Sequence, residues 1–468
     1  MAMIDAIGAI ASVLLPWAAG TYAVRALWRR EPAVPGLVAI GYGYFVGALG
    51  ATWLMRALSL AGIRWSLPTL AGAMIILGAI AWWLARRPAP PERAQAGLRQ
   101  ALAAEPPLLR WLFWLALSLI AIRLAGLAVD VVVAPLRGYD QWAHWATKAR
   151  VWFEHGRMVP FVSPDTWLAR GDPSLFIDAS PGHPGTTPLL QAWTANFLAA
   201  WNESLINLPW IALSVALPAA FFAQARLAGA GVALAMVAAW LLMTLPILDA
   251  HIASAGAADI FMAATYGLAA MAAWRWSVTR EAPMAWLALV MAIAGIPVKV
   301  EGVLWMSTLV PGVVVALDRR AGFALAGAAA IAFAGYLAFG PARLPLMGYV
   351  LLSRPVNVLP AVIDHVFVFD NWHLAAYALV ALVAWRWRSL LSPRLAPMTM
   401  TMAAAVGLVV VVYFFTSAAG GVADETLVNR FLLHLAPALA FYALLLYVGG
   451  GERRGDQPSL NATNAADA

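Results

Sequence analysis

Long apolar stretches, separated by short polar ones, run along most of the 468-residue chain. An apolar stretch of about 20 residues is the length that crosses the hydrocarbon core of a bilayer as an α-helix. The pattern therefore predicts an all-α polytopic membrane protein with about 13 transmembrane helices and with interfacial juxtamembrane helices. The predicted spans lie near residues 4–28, 36–58, 67–85, 111–132, 205–225, 229–248, 259–276, 284–297, 302–317, 321–340, 372–388, 397–416 and 430–449. In the second span, Gly43-x-x-x-Gly47 indicates close helix packing.

Composition supports this fold class, because 63% of the residues are hydrophobic and 11% are charged. A soluble protein of this length could not bury so much apolar surface. The absence of cysteine excludes disulfides and thiolate metal sites. The net charge of +7 comes from basic residues at helix ends rather than from one basic patch, so it does not indicate a nucleic-acid partner.

Basic residues gather on one side of the predicted helices. They are Arg29, Arg30, Arg86, Arg87, Arg93, Arg99, Arg110, Arg226, Arg275, Arg280, Arg319, Arg320, Arg386, Arg388, Arg394, Arg453 and Arg454. The positive-inside rule makes this side cytoplasmic, which places the N-terminus outside and the C-terminus inside. No basic residue precedes the first apolar stretch, so we expect a retained helix rather than a cleaved signal peptide.

The chain divides into three parts at this level. Residues 1–110 hold the first three spans and a basic cytoplasmic loop, and residues 111–452 hold the remaining spans. Residues 453–468 form a polar cytoplasmic tail that we expect to be disordered. Two longer segments, at about 134–204 and 341–371, are predicted to lie on the outer side.

The outer segment 134–204 carries a predicted amphipathic helix near its start. One stripe of this helix is apolar and consists of Trp142, Trp145, Ala149 and Trp152. A second stripe is polar and consists of Asp140, His144 and Lys148. Three tryptophans on one stripe favour a helix in the headgroup layer, with the polar stripe facing a protein cavity or water. The apolar stretch 187–201 is short for a span and predicts a second juxtamembrane or re-entrant helix.

Two acidic residues are candidates for chemistry. Asp140 stands at the start of the amphipathic helix, where it could act as a general base or simply cap the helix. Asp259 opens a predicted span, where a carboxylate either faces a cavity or caps the helix. The sequence leaves both alternatives open.

Cationic and histidine side chains complete the set of candidates. Lys299 interrupts an apolar run and could neutralise Glu301 or bind a phosphate. Arg430 breaks the charge pattern on the outer side, which favours a phosphate partner over a snorkelling anchor. His183 lies in a proline-rich turn, where it could bind phosphate, bind a metal or satisfy local backbone groups. His144 and the other histidines have no spacing typical of a metal site.

These segments, in this order, resemble the GT-C superfamily, especially bacterial relatives of the protein O-mannosyltransferase and aminoarabinose transferase group. The likeness covers about residues 111–449. It consists of Gly-Tyr-Asp140-Gln141-Trp, His183-Pro184, Asp259 after Gly-Ala-Ala, Val-Lys299-Val-Glu301-Gly, and Arg430 with Pro437. One departure is Gln141, because many members of the group have a second acid at that position. Asp140 is therefore expected to act alone.

The resemblance implies a fold and a reaction. It implies inverting transfer of a sugar from a polyprenyl-phosphate donor to an envelope acceptor (lipid, glycan or protein) at the periplasmic face of a bacterial inner membrane. Asp140 would be the general base. The donor phosphate would be bound by Lys299, Arg430 and His183, and the acceptor would be oriented by Asp259, His144 and Glu301. The partners would be the lipid-linked sugar, the acceptor and membrane lipids; no cofactor or metal-ligand set follows, and a divalent cation is left open.

Two other functions stay open at this point. A transporter or flippase for a lipid-linked or small polar solute would equally account for charges inside the membrane, such as Arg123, Asp130 and Lys299. Arg123 and Asp130 could also simply pair within one helix. Against a transporter, the polar residues cluster toward the outer ends of the spans, and no repeated halves are visible. A non-catalytic subunit for envelope polymer assembly would need no base at all.

Overall fold

Helices make up most of the protein in its computed structural model, which describes residues 3–28, 36–86, 97–346 and 348–449. The first helices are α1 (Met3–Leu27), α2 (Gly36–Leu60), α3 (Leu67–Ala85), α4 (Leu98–Ala103), α5 (Pro107–Val133), α6 (Thr147–His155), α7 (Pro164–Arg170) and α8 (Thr186–Ala195). The middle helices are α9 (Leu208–Leu227), α10 (Val232–Met243), α11 (Pro246–Ala253), α12 (Asp259–Thr279), α13 (Ala282–Gly295), α14 (Gly302–Ser307), α15 (Leu309–Leu317) and α16 (Arg319–Phe339). The last helices are α17 (Leu359–Ile363), α18 (Ala375–Arg386), α19 (Ala396–Phe415), α20 (Ala419–Ala423), α21 (Val428–Leu433) and α22 (Ala436–Val448).

Seven of the described helices are long and apolar enough to cross a membrane. They are α1, α2, α3, α5, α9 with the turn before it, α16 and α19. The pair α10 and α11, which is bent by 61° at Leu245, makes an eighth if it counts as one span. The chain is therefore a membrane-embedded helical protein, while the predicted number of thirteen spans is not established. The other predicted spans are helical but are short and interrupted, or, in α12, carry charged residues.

Helix α12 lies at the centre of the bundle. Every residue from Asp259 to Ala272 is buried, and α9, α13, α15, α19, α21 and α22 all contact this helix. Gly267 permits the close approach of α22, because a Cβ at this position would lie 2.6 Å from Cβ of Pro437. The packing around α12 therefore fixes the position of its first residue, Asp259, near the ends of several other helices.

The predicted packing of Gly43 and Gly47 is confirmed. Gly43 lies against Thr21 and Gly47 lies against the carbonyl of Pro16, so α2 packs directly on the backbone of α1. In an apolar solvent such as lipid, small residues let two helices come close enough for dispersion contacts to hold them.

The amphipathic segment of the outer loop differs from the prediction. A π-helical stretch, Gln141–Ala146, precedes α6, and this stretch lies inside the protein. Trp145 and Trp152 are buried against other helices, so the predicted headgroup-layer position of the tryptophan stripe is wrong for both residues, whereas Trp142 is exposed. The polar stripe does face the protein interior, as predicted. Helix α8 is buried at all ten of its residues and is too short to span.

Two short sheets depart from a purely helical fold. In the outer loop, β1 (Phe161–Val162) pairs with β2 (Phe176–Ile177) in parallel. In the second outer segment, β3 (Arg343–Leu346) and β4 (Tyr349–Leu352) form an antiparallel hairpin, followed by α17 and a π-helical stretch, Asp364–Val368. The tail 453–468 and the basic residues at 29, 30, 87 and 93 lie outside the described residues.

One predicted pairing is also corrected. Arg123 of α5 forms an ion pair with Asp249 of α11 rather than with Asp130. The broken span α10–α11 is therefore tied to α5 by charge as well as by packing.

Candidate active site

A cavity of about 310 Å³ lies where four separate parts of the chain meet. Its walls are residues 138–141, α11 with the loop behind it, the start of α12, and α21. The loop between α11 and α12 comes close to the first wall because Gly256 has a φ of +100°, and a Cβ there would lie 3.0 Å from Leu136. Two acids and one arginine line this cavity.

Asp140 is the first of these acids. Its carboxylate makes no capping hydrogen bond, so the helix-cap alternative is wrong. Instead, Oδ2 lies 2.6 Å from Nη1 of Arg430, and both side chains are 34% exposed on the cavity side. The position leaves Asp140 reachable by a molecule that enters the cavity.

Asp259 is the second acid, and it is 1% exposed. It makes no capping hydrogen bond either, so the cap alternative is wrong here too. Its Oδ1 lies 2.7 Å from Nζ of Lys299, and its Oδ2 accepts a hydrogen bond of 3.3 Å from Arg430. A buried carboxylate needs such partners, because an unpaired charge in this environment is strongly destabilising.

Lys299 lies in a break between two short helices. Pro297 has no N–H to donate, the backbone at Lys299 is extended, and α14 starts only at Gly302. The ammonium group lies between Asp259 and Glu301, at 2.7 Å and 2.9 Å, so the predicted pair with Glu301 is confirmed. Lys299 and Glu301 are buried and do not line the cavity.

Arg430 of α21 joins the two acids. Its guanidinium faces Asp140 and Asp259 inside the protein, so the snorkelling alternative is wrong. His434, four residues later, is fully buried with Nε2 3.4 Å from Asp259, outside hydrogen-bond geometry. Sequence analysis assigned no role to His434, although a spacing of four residues on a helix indicates a shared face with Arg430.

Gln141, which follows Asp140, holds two backbone segments together. Its side-chain oxygen accepts a hydrogen bond from the backbone N–H of Gly138, and its Nε2 donates to the carbonyl of Ser254 at 2.5 Å. An amide can donate and accept at once, which a carboxylate cannot do. Gln141 therefore joins two walls of the cavity.

A second polar cluster lies on the other side of the π-helical stretch. Asp178 is buried, with Oδ1 2.5 Å from Nδ1 of His144 and Oδ2 2.6 Å from Nζ of Lys148. Lys148 also donates to the carbonyl of Ser180 at 3.0 Å. Burial alone would raise the pKa of Asp178, but hydrogen bonds from Lys148, the Ser180 N–H and His144 outweigh burial and hold it below its usual value. No spacing in the sequence indicates that Asp178 meets these two side chains.

His183 belongs to this second cluster rather than to the cavity. Its ring stacks on Trp145 with centroids 5.2 Å apart, and its Nδ1 is buried without a partner. Burial, with the nearby charge of Lys148, lowers the pKa of His183 below 6.5. His144 is likewise engaged by Asp178, so neither histidine lines the cavity.

Opposite charges alternate through the main site. Asp140, Arg430, Asp259, Lys299 and Glu301 follow one another as neighbouring ion pairs. Counted without His434, these three carboxylates and two cations leave one net negative charge. Such a series of ion pairs can hold a base, Asp140, at its exposed end and keep Arg430 beside it.

Among the residues that the structure describes, no group of three or more histidine or acidic side chains is arranged to hold a metal ion. Comparison with protein-family models, with curated proteins and with solved structures finds no match to this chain.

Proposed function

We propose that this protein is a glycosyltransferase that moves a sugar from a polyprenyl-phosphate donor to an envelope acceptor at the periplasmic face of a bacterial inner membrane. One observation carries the proposal: Asp140, Asp259 and Arg430, from three distant parts of the chain, converge on one cavity. An exposed carboxylate beside a fixed arginine suits proton removal and phosphate stabilisation at neighbouring points.

In the proposed reaction, Asp140 takes the proton of an acceptor hydroxyl. The acceptor oxygen attacks the anomeric carbon, and the bond from that carbon to the phosphate oxygen breaks. The electron pair leaves with polyprenyl phosphate, and the configuration at the anomeric carbon inverts. Arg430 stabilises the charge that develops on the leaving phosphate.

Lys299 and Glu301 are assigned a supporting role behind the residues that line the cavity. Because Lys299 is enclosed by Asp259 and Glu301, we assign it to holding Asp259, which in turn holds Arg430. His144 and His183 support the segment that carries Asp140, through Asp178 and Trp145 respectively.

The lipid character of the donor has separate support. A second cavity, of about 410 Å³, lies between α18, α19 and α22 and is lined almost wholly by apolar side chains. Leu432 of α21 lines it, two residues beyond Arg430. A cavity with this apolar lining suits a prenyl chain.

The test is a transfer assay with purified, reconstituted protein and a panel of polyprenyl-phosphate sugars, in which release of polyprenyl phosphate is measured. Asp140→Asn should lower the rate by about 100-fold or more. Asp165→Asn, at an exposed acid of the same loop, is the matched control and should keep the wild-type rate. Retained transfer in Asp140→Asn with an unchanged melting temperature would remove Asp140 as the base.

A transporter of lipid-linked or small polar solutes is the second candidate. The 61° bend between α10 and α11 favours it, because transporters use broken spans at substrate sites and α11 lines the cavity. Counterflow of a polyprenyl-phosphate sugar across proteoliposomes without any release of polyprenyl phosphate would support the transporter and contradict the enzyme.

A further inference from the structure

His365 lies outside the proposed active site, in the π-helical stretch Asp364–Val368, and it is 6% exposed. Its Nδ1 lies 3.1 Å from Oδ1 of Asn429, and its Nε2 lies 3.3 Å from Oε2 of Glu425. The side chain of Asn371 donates to the carbonyl of His365 at 3.0 Å. We call these four residues, His365, Asn371, Glu425 and Asn429, the His365 bridge.

The backbone around the bridge is held in an unfavourable conformation. Glu425 has a φ of +65°. Residues with a Cβ adopt such values only where the surrounding contacts hold them. Among the described residues, His365 is the partner that Glu425 meets in another segment of the chain.

The bridge touches two walls of the cavity. Asn429 directly precedes Arg430 in α21. The carbonyl of Asn371 accepts a hydrogen bond of 3.0 Å from the N–H of Ile247, in the first turn of α11. Helix α11 in turn contributes Ala250 and His251 to the cavity.

We propose that His365 is a positioning residue that fixes the separation of α11 and α21, and thereby the place of Arg430 in the cavity. The structural part of this proposal stands on the contacts above, and its catalytic consequence rests on the proposed function. Loss of the imidazole removes the contacts that hold the turn from Glu425 to Asn429. The guanidinium of Arg430 then no longer has one fixed position in the cavity.

The chain has no cysteine, which makes distance measurement direct. Exposed Ala250 on α11 and exposed Thr426, in the turn that leads into α21, are replaced by cysteines, spin-labelled and measured by double electron–electron resonance. We expect His365→Ala to shift the mean distance by about 2 Å or to broaden its distribution. His365→Gln, which keeps a donor toward Glu425, should restore the wild-type distribution. His373→Ala, at an exposed histidine nearby that pairs with Asp370, is the control and should change nothing.

The transfer assay supplies the second measurement. His365→Ala should lower kcat by about tenfold or more with little change in donor KM, because a small misplacement of Arg430 weakens the transition state most. His365→Gln should recover most of this loss. An unchanged distance distribution in His365→Ala, or a drop in activity matched by His373→Ala, would overturn the positioning role. If the wild type transfers no sugar, the proposed function fails, and the distance measurement still decides the role of His365.

Discussion

Replacement of Lys299 by methionine tests the buried charge network most directly. The ammonium group is the shared partner of Asp259 and Glu301, at 2.7 Å and 2.9 Å, and both carboxylates are buried. Methionine keeps most of the side-chain volume but removes the charge. Breaking a buried pair by removing one partner costs about 3–5 kcal/mol, because a desolvated charge is left without compensation.

The measurement is the free energy of unfolding in mixed micelles of detergent and sodium dodecyl sulfate. We expect Lys299→Met to lose about 3–5 kcal/mol. Adding Asp259→Asn and Glu301→Gln removes the stranded charges, so the triple variant should be more stable than Lys299→Met by about 2 kcal/mol.

An exposed ion pair of similar length provides the control. Arg150 and Glu154 lie 3.0 Å apart, but their side chains are 57% and 54% exposed. Arg150→Met should therefore cost less than about 0.5 kcal/mol. If Lys299→Met were as mild as this control, or if the triple variant were less stable than the single one, burial would not govern these charges.

Two further predictions concern packing and pH. Gly47→Leu should cost about 1–3 kcal/mol in the same unfolding measurement, because its side chain would overlap the carbonyl of Pro16; a neutral result would contradict direct α1–α2 contact. Because burial and the charge of Lys148 lower the pKa of His183, the unfolded chain binds a proton more readily than the folded one below pH 6.5. The melting temperature should fall as the pH drops below that value, and less so in His183→Phe, which keeps a ring on Trp145; identical pH profiles would contradict this.

The membrane-embedded helices could be predicted because apolar length is a local property of the chain. Their number could not, since the region around Lys299 is an apolar run whose helix is broken by Pro297 and by a buried ion pair. The prediction that the tryptophan stripe lies in the headgroup layer was wrong for a related reason. Hydrophobicity does not distinguish a lipid headgroup layer from a protein interior. In addition, the predicted stripe was based on the side-chain spacing of an α-helix, and the π-helical stretch before α6 has a different spacing.

Three of the residues that line the cavity could be singled out from the sequence, whereas among their contacts only the neighbouring Lys299–Glu301 pair could be predicted. Asp140, Asp259 and Arg430 could each be recognised as a charged residue beside or within an apolar segment. Which acid meets which cation depends on how helices far apart in the chain pack around α12, and no local pattern carries that information. Asp178 shows the same limit, because its buried partners His144 and Lys148 share a stripe of one helix but lie on a segment far from Asp178 in the chain, with His144 separated from it by 34 positions.

Both partners of Arg430 are carboxylates, and this has a consequence for the proposed reaction. Among the described residues that line the cavity, Arg430 is the one arginine or lysine, so a donor phosphate would have to replace Asp140 at its guanidinium, while Asp259 and Lys299 keep the arginine in place from behind. The exchange keeps Arg430 paired with an anion at every stage. In the proposed reaction it also frees the Asp140 carboxylate to accept a hydrogen bond from the acceptor hydroxyl only when the donor has arrived. The ion pair therefore ties activation of the acceptor to the presence of the donor, which would limit wasteful transfer of the sugar to water.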